Sequence, residues 1–239
     1  MSESGSTATA PIVAAYTRLL QRLRAAARDG GVDAVKLLAV GKTRSVQDLL
    51  ALAKLGQHAF GENYVQEALE KQRALADLAP DLRFEWHLIG HLQSNKCHDA
   101  TLAFDWVQTV DRAKLIPLLA QHRPTLMSPL NVLIQVNIDD EDSKSGCAPD
   151  AIDALANAVA AEPRLALRGL MAIPAPDPDM SRRRNAFRRM CEFFDALRVR
   201  HPQVDTLSMG MSEDFELAIA EGATMVRVGT ALFGPRLSA

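Results

Sequence analysis

The stretch Asp205–Gly234 reads DTLSMGMSEDFELAIAEGATMVRVGTALFG, and the architecture is read outward from it. DTLSMG and TMVRVG are short strand-like runs that each stop at a glycine, and a helix over Asp214–Ala220 is predicted between them. A strand, a helix and a second strand in this order form a parallel crossover unit. The same rhythm extends back through the chain. KLLAVGK (36–42) is followed by a helix over 46–54 that Ser45 caps. HAFGEN (58–63) precedes a helix over 64–78, and EWHLIG (85–90) one near 93–100. FDWVQTV (104–110) precedes a helix over 112–121 with Asp111 as its cap. NVLIQVNI (131–138), the run richest in β-formers, precedes one over 149–161 with Pro149 at its first position. LRGLMAIP (167–174) leads to a long helix over 180–201.

Eight strands alternating with helices predict a parallel α/β sheet, and eight such units close into a (β/α)8 TIM barrel. An open doubly wound sheet is the rival that periodicity cannot separate. A further helix over 12–28, ended by Asp29-Gly30-Gly31, precedes the first strand. No helix is predicted after strand eight, so this extra N-terminal helix is expected to fill the vacant place in the outer ring. Residues 1–9 are expected to be a disordered tail, and residues 10–239 one domain.

The bulk composition narrows the class of function. A net charge of −2 gives no global field toward nucleic acid or membrane. Cys97, Cys147 and Cys191 form no CxxC pair, and reduced thiols point to the cytoplasm. No apolar run is long enough to span a bilayer, and the N-terminus lacks the regions of a signal peptide.

Barrel chemistry collects where strands end. Those positions hold Lys42, Asn63, His87, Met171, Ser208, Ser212, Arg227, Gly229 and Thr230. An amine at Lys42 facing an apolar-walled pocket loses its preference for the charged form, and a neutral lysine can form a Schiff base with an aldehyde. A lysine that merely ends a strand is the plain alternative. SMGMS and VRVGT, at strands seven and eight, offer glycine backbone and hydroxyl groups to a phosphate. Plain turn glycines, with Ser212 as an N-cap, are the alternative. Arg227 shares a face with Gly229 and needs a partner, either a pyridine nitrogen or a carboxylate such as Glu62 or Asp214.

Together these residues resemble the pyridoxal phosphate homeostasis proteins, single-domain relatives of the alanine racemase barrel. The matching segments are LLAVGK, FGENYVQEALEK, EWHLIGHLQSNK, VQTVD, VLIQVNI, SKSG, LRGLMAIP, SMGMSEDFELAI and VRVGTALFG, between residues 37 and 234. Gly41 departs from the family's usual serine and is expected to loosen the turn. The resemblance implies pyridoxal 5′-phosphate as cofactor, bound to Lys42 as a Schiff base. It places the phosphate on Ser208, Ser212, Gly229 and Thr230, Arg227 at the pyridine nitrogen, and Asn63, His87 and Met171 along the cofactor face. It also implies a protein that buffers and delivers the cofactor to dependent apo-enzymes rather than a fast enzyme. A racemase of this type adds an all-β domain carrying a second proton donor, which the sequence is expected to lack. Tyr16 and Tyr64 are no obvious substitutes. A monomer is expected.

Other readings stay open. The chain could be a single-domain amino-acid racemase, or an aldolase using Lys42 on a sugar phosphate. His87 and His91 lack the further ligands of a metal site. Arg182-Arg183-Arg184 with Arg188-Arg189 reads as a solvated basic face. Lys96 is a hypothetical secondary acceptor of the cofactor; equal loading of Lys42→Ala with and without Lys96→Ala would remove that idea.

Overall fold

The computed structural model describes residues 9–27, 35–139, 145–175 and 177–234. Eight parallel strands close into a barrel in simple sequence order. They are β1 (Lys36–Val40), β2 (Ala59–Glu62), β3 (Glu85–Leu88), β4 (Trp106–Val110), β5 (Leu130–Val136), β6 (Leu165–Ala172), β7 (Thr206–Ser208) and β8 (Met225–Val228). β1 pairs with both β2 and β8, which excludes the open-sheet alternative.

The outer ring contains α1 (Thr9–Ala26), α2 (Val46–Ala53), α3 (Val65–Leu78), α4 (Cys97–Ala103), α5 (Leu115–His122), α6 (Ile152–Ala160), α7 (Met180–Arg200), α8 (Phe215–Ala220) and α9 (Thr230–Phe233). Strand alternation sorts the residues. Phe60, Leu88, Val107 and Val226 face the helices and are buried among them, while Leu38, Ala59, Ile89 and Met225 meet inside the barrel. The long apolar run of β5 follows from burial on both of its faces.

Several local expectations hold. Ser45 caps α2 in a full capping box with Asp48. Pro149 opens a 3₁₀ turn that runs into α6. α1 packs against α2, α8 and α9, and so takes the ring position proposed for it. Others are corrected. A four-residue helix, α9, does follow β8. Asp111 does not cap α5, which starts at Leu115; its carboxylate pairs with Arg112 instead. The proposed tail lies outside the described residues as far as residue 8, and α1 already begins at Thr9. The Asp29-Gly30-Gly31 stop also lies outside them.

Candidate functional site

A cavity of about 320 Å³ opens at the C-terminal ends of the strands. β1 contributes Val40 and, just beyond its end, Lys42. Asn63 comes after β2, Ile89 after β3, and Ile173 and Pro174 after β6. The β7–α8 loop gives Met211, Ser212, Glu213 and Asp214; β8 and the start of α9 give Arg227, Gly229 and Thr230. Six of the nine residues proposed from the sequence therefore line one cavity: Lys42, Asn63, Ser212, Arg227, Gly229 and Thr230. His87, Met171 and Ser208 are not among its lining residues; all three are fully buried.

Lys42 projects from a turn closed by the Arg44 N–H donating to the Gly41 carbonyl at 2.9 Å. Arg44 in turn donates to the Phe233 and Gly234 carbonyls, tying this turn to the end of α9. Across the cavity, Ser212 does not cap α8, whose first residue is Phe215. Its hydroxyl oxygen accepts from the Ala231 N–H at 3.3 Å, in the first turn of α9. Gly210 makes this loop possible: its φ is +89°, and a Cβ there would lie 2.6 Å from that of Ala218. Ser212, Gly229 and Thr230 thus form a small polar cradle facing Lys42.

Arg227 rises from inside β8 and is buried. Its Nη1 donates to Ser208 Oγ at 2.7 Å and its Nη2 to the Ala172 carbonyl at 2.8 Å. Both direct partners are neutral, so neither Glu62 nor Asp214 pairs with it. Burial lowers its pKa to about 10, opposed by the negative charge of Asp214, and the guanidinium stays cationic at neutral pH.

Ser208 begins a chain that runs down through the barrel. Its hydroxyl donates to Gln108 Oε1 at 2.7 Å, and Gln108 Nε2 lies 2.8 Å from His87 Nδ1. An amide nitrogen can only donate, so Nδ1 accepts and the neutral ring carries its proton on Nε2. That nitrogen faces Glu85, to which Lys36 also donates at 2.5 Å. Every bond from Arg227 to Glu85 therefore points the same way, from a cation at the cavity to a carboxylate at the opposite barrel end. Burial holds the His87 pKa below its usual value. Burial works to raise the Glu85 pKa, but the hydrogen bonds from His87 and Lys36, with the charge of Lys36, outweigh it and hold it below its usual value. His87 also stacks on Trp106 at 5.1 Å, and Met171 packs with Trp106 and Leu133. His87, Met171 and Ser208, expected along the cofactor face, belong to the strands themselves and are buried beneath the residues that line the cavity.

Sequence reasoning missed Arg183. Read as part of a solvated face, it is only 14% exposed and lies on the cavity wall, 3.9 Å from Asp214. Its guanidinium also holds the Asp177 carbonyl. Its neighbour Arg182, at 77% exposure, does fit that description. Lys96 lines an adjoining cavity of about 400 Å³ with His91, the two cavities sharing Asn63. Among the described residues no cluster of histidine, cysteine and carboxylate is arranged to hold a metal.

A closed α/β barrel with a lysine after its first strand and a polar cradle after its last two defines a class, that of the alanine racemase barrels. The family described as alanine racemase, N-terminal domain, matches residues 13–236. A Haemophilus influenzae protein named pyridoxal phosphate homeostasis protein is 52% identical over 206 residues, 85% of this chain and 86% of its own. The solved structure of PipY from Synechococcus elongatus, with PLP bound, superposes at a TM-score of 0.80 with 34% identity, covering 93% of this chain and all of that one. Alanine racemase from Corynebacterium glutamicum shares the fold at a TM-score of 0.66 and 20% identity, covering 95% of this chain and 62% of that one. The chain belongs to the pyridoxal phosphate homeostasis proteins of the alanine racemase N-terminal domain family.

Proposed function

We propose that this protein binds pyridoxal 5′-phosphate as a Schiff base on Lys42 and buffers and delivers it, with little turnover of amino acids. One observation supports the reading: a single cavity is lined by Lys42, Arg227 and the Ser212–Gly229–Thr230 cradle. These are the groups that an aldehyde, a pyridine nitrogen and a phosphate ester require. Gly229 suits the cradle, because a Cβ at that position would stand only 3.3 Å from the Val40 Cβ. Relatives named pyridoxal phosphate homeostasis protein, and a PipY structure with PLP bound, support the cofactor part of this reading.

When bound, the cofactor supplies an electron sink. Arg227, held by Ser208 and the Ala172 carbonyl, would weaken that sink: a guanidinium beside the ring nitrogen would donate to it and keep it unprotonated. Neither tyrosine lines the cavity: Tyr16 is buried in α1 and Tyr64 lies on the neighbouring cavity. A second positioned proton donor contributes about 10²–10⁴-fold in rate, and this cavity has no tyrosine to supply it. The protein would act in the cytoplasm as a monomer, with dependent apo-enzymes as transient recipients. The buried Cys97 and Cys147 thiols, whose pKa values burial raises, suit a reducing compartment.

The test is to load the protein with pyridoxal phosphate and mix it with an apo-aminotransferase, and separately with alanine in D₂O. Activation of the apo-enzyme with negligible Cα exchange is expected. Alanine racemisation at ordinary enzyme rates, about 1–10³ s⁻¹, would overturn the carrier role in favour of a single-domain racemase.

A further inference from the structure

The FGENYVQEALEK segment holds three ionisable groups that the cavity does not use. Glu62 ends β2, and Glu67 and Lys71 lie one turn apart on α3. Glu62 points away from the barrel interior and is fully buried, and Lys71 is nearly so. The three hydrogens of the Lys71 ammonium are all assigned: to Glu62 Oε1 at 2.8 Å, to Glu67 Oε1 at 2.7 Å and to the Gly41 carbonyl at 2.7 Å. Glu67 Oε1 also accepts from the Thr43 N–H at 2.6 Å. The group therefore grips the backbone on both sides of Lys42.

The grip coincides with unfavourable backbone. Thr43 has a φ of +62°, the one non-glycine residue with positive φ among those described. A β-branched residue avoids this region strongly. Position 41 is closely packed as well: a Cβ there would lie 2.6 Å from Glu62 Oε1, the far end of that side chain. Gly41 leaves room for the Glu62 side chain that pairs with Lys71.

We propose that Glu67 and Lys71 are positioning residues for Lys42, holding the Gly41–Arg44 turn in a strained form that aims its amine into the cavity. The inference rests on the reading of Lys42 as the aldehyde-bearing residue. In that reaction the Lys42 nitrogen bonds to the aldehyde carbon, and the carbonyl oxygen leaves as water with the two amine hydrogens. Relaxing the turn removes the amine from the approach geometry, and a misplacement of about 1 Å costs about a hundredfold.

The experiment compares wild type, Glu67→Met, Glu67→Gln and the exposed control Glu70→Ala. Each is mixed with pyridoxal phosphate, quenched with borohydride at timed intervals and mapped for modified Lys42. Hydrogen exchange at the Thr43 amide is followed alongside. Glu67→Met keeps the side-chain volume without an acceptor; it should slow Lys42 labelling by about tenfold or more and speed Thr43 exchange. Glu67→Gln keeps an acceptor oxygen and should stay within about threefold of wild type, as should Glu70→Ala. Adding Thr43→Gly to Glu67→Met should restore the rate, since glycine takes the positive φ unaided. Labelling slowed by less than about tenfold in Glu67→Met, or a Gln variant as slow as Met, overturns the inference. If wild type itself is not labelled at Lys42, the cofactor reading fails instead.

Discussion

Replacing Gln108 with leucine breaks the barrel's polar chain at its middle link. Gln108, Ser208 and His87 are all fully buried. The leucine leaves the Ser208 hydroxyl without its acceptor and His87 Nδ1 without its donor. Each buried group left unsatisfied costs about 1–3 kcal/mol, so the pair costs about 2–6 kcal/mol. The side chains are of similar size, so cavity terms are minor. The loss also reaches the site, because a Ser208 hydroxyl freed to turn is a poorer acceptor for Arg227. Urea unfolding of the apo-protein should show a midpoint lowered at unchanged slope, and titration with pyridoxal phosphate should show weaker loading. A stability loss under about 1 kcal/mol would show that Ser208 and His87 do not depend on Gln108, since two buried groups cannot both go unpaired so cheaply.

Two further outcomes follow from the buried groups around the site. Burial lifts the Glu62 pKa to about 7 against the opposing hydrogen bond and charge of Lys71. A carboxyl raised above its unfolded value stabilises fully below that value, and its contribution is lost as pH rises through the folded one. Stability should therefore fall by about 2–3 kcal/mol between pH 5 and 8, and denaturant titrations of Glu62→Gln should lack most of that slope. Gly90 sits against β2, where an added Cβ would lie 2.1 Å from the Asn63 carbonyl oxygen. Gly90→Ala should lower stability by about 2–3 kcal/mol and displace Asn63 from the cavity wall, measured by thermal unfolding and a crystal structure.

The strands were legible because each is a compact apolar run closed by glycine or polar residues, and their number implied closure. Depth within the barrel was not legible. Ser208 and Arg227 both read as strand-end polar residues, yet one lines the cavity and the other lies beneath it holding the first. Alternation gives a side chain's face, but its layer depends on the stagger between strands. Ser212 looked like a cap because it precedes a helical pattern; the helix starts three residues later, leaving its oxygen to α9. The clamp on Lys42 left a usable signal. Phe60 and Glu62 share the helix-facing side of β2, and a carboxylate there needs a cation, which Lys71 on α3 supplies. Arg183 could not be separated from its arginine neighbours without the turn of α7 against the β7–α8 loop.

Whether Lys42 carries the cofactor is decided by reductive trapping. The protein is incubated with pyridoxal phosphate, reduced with borohydride and digested, and the modified lysine is mapped by mass spectrometry. A single pyridoxyl adduct on Lys42 is expected, and the visible absorbance band of the bound cofactor should be lost in Lys42→Ala. An adduct carried mainly by Lys96 or another lysine, or a band that survives Lys42→Ala undiminished, would contradict it.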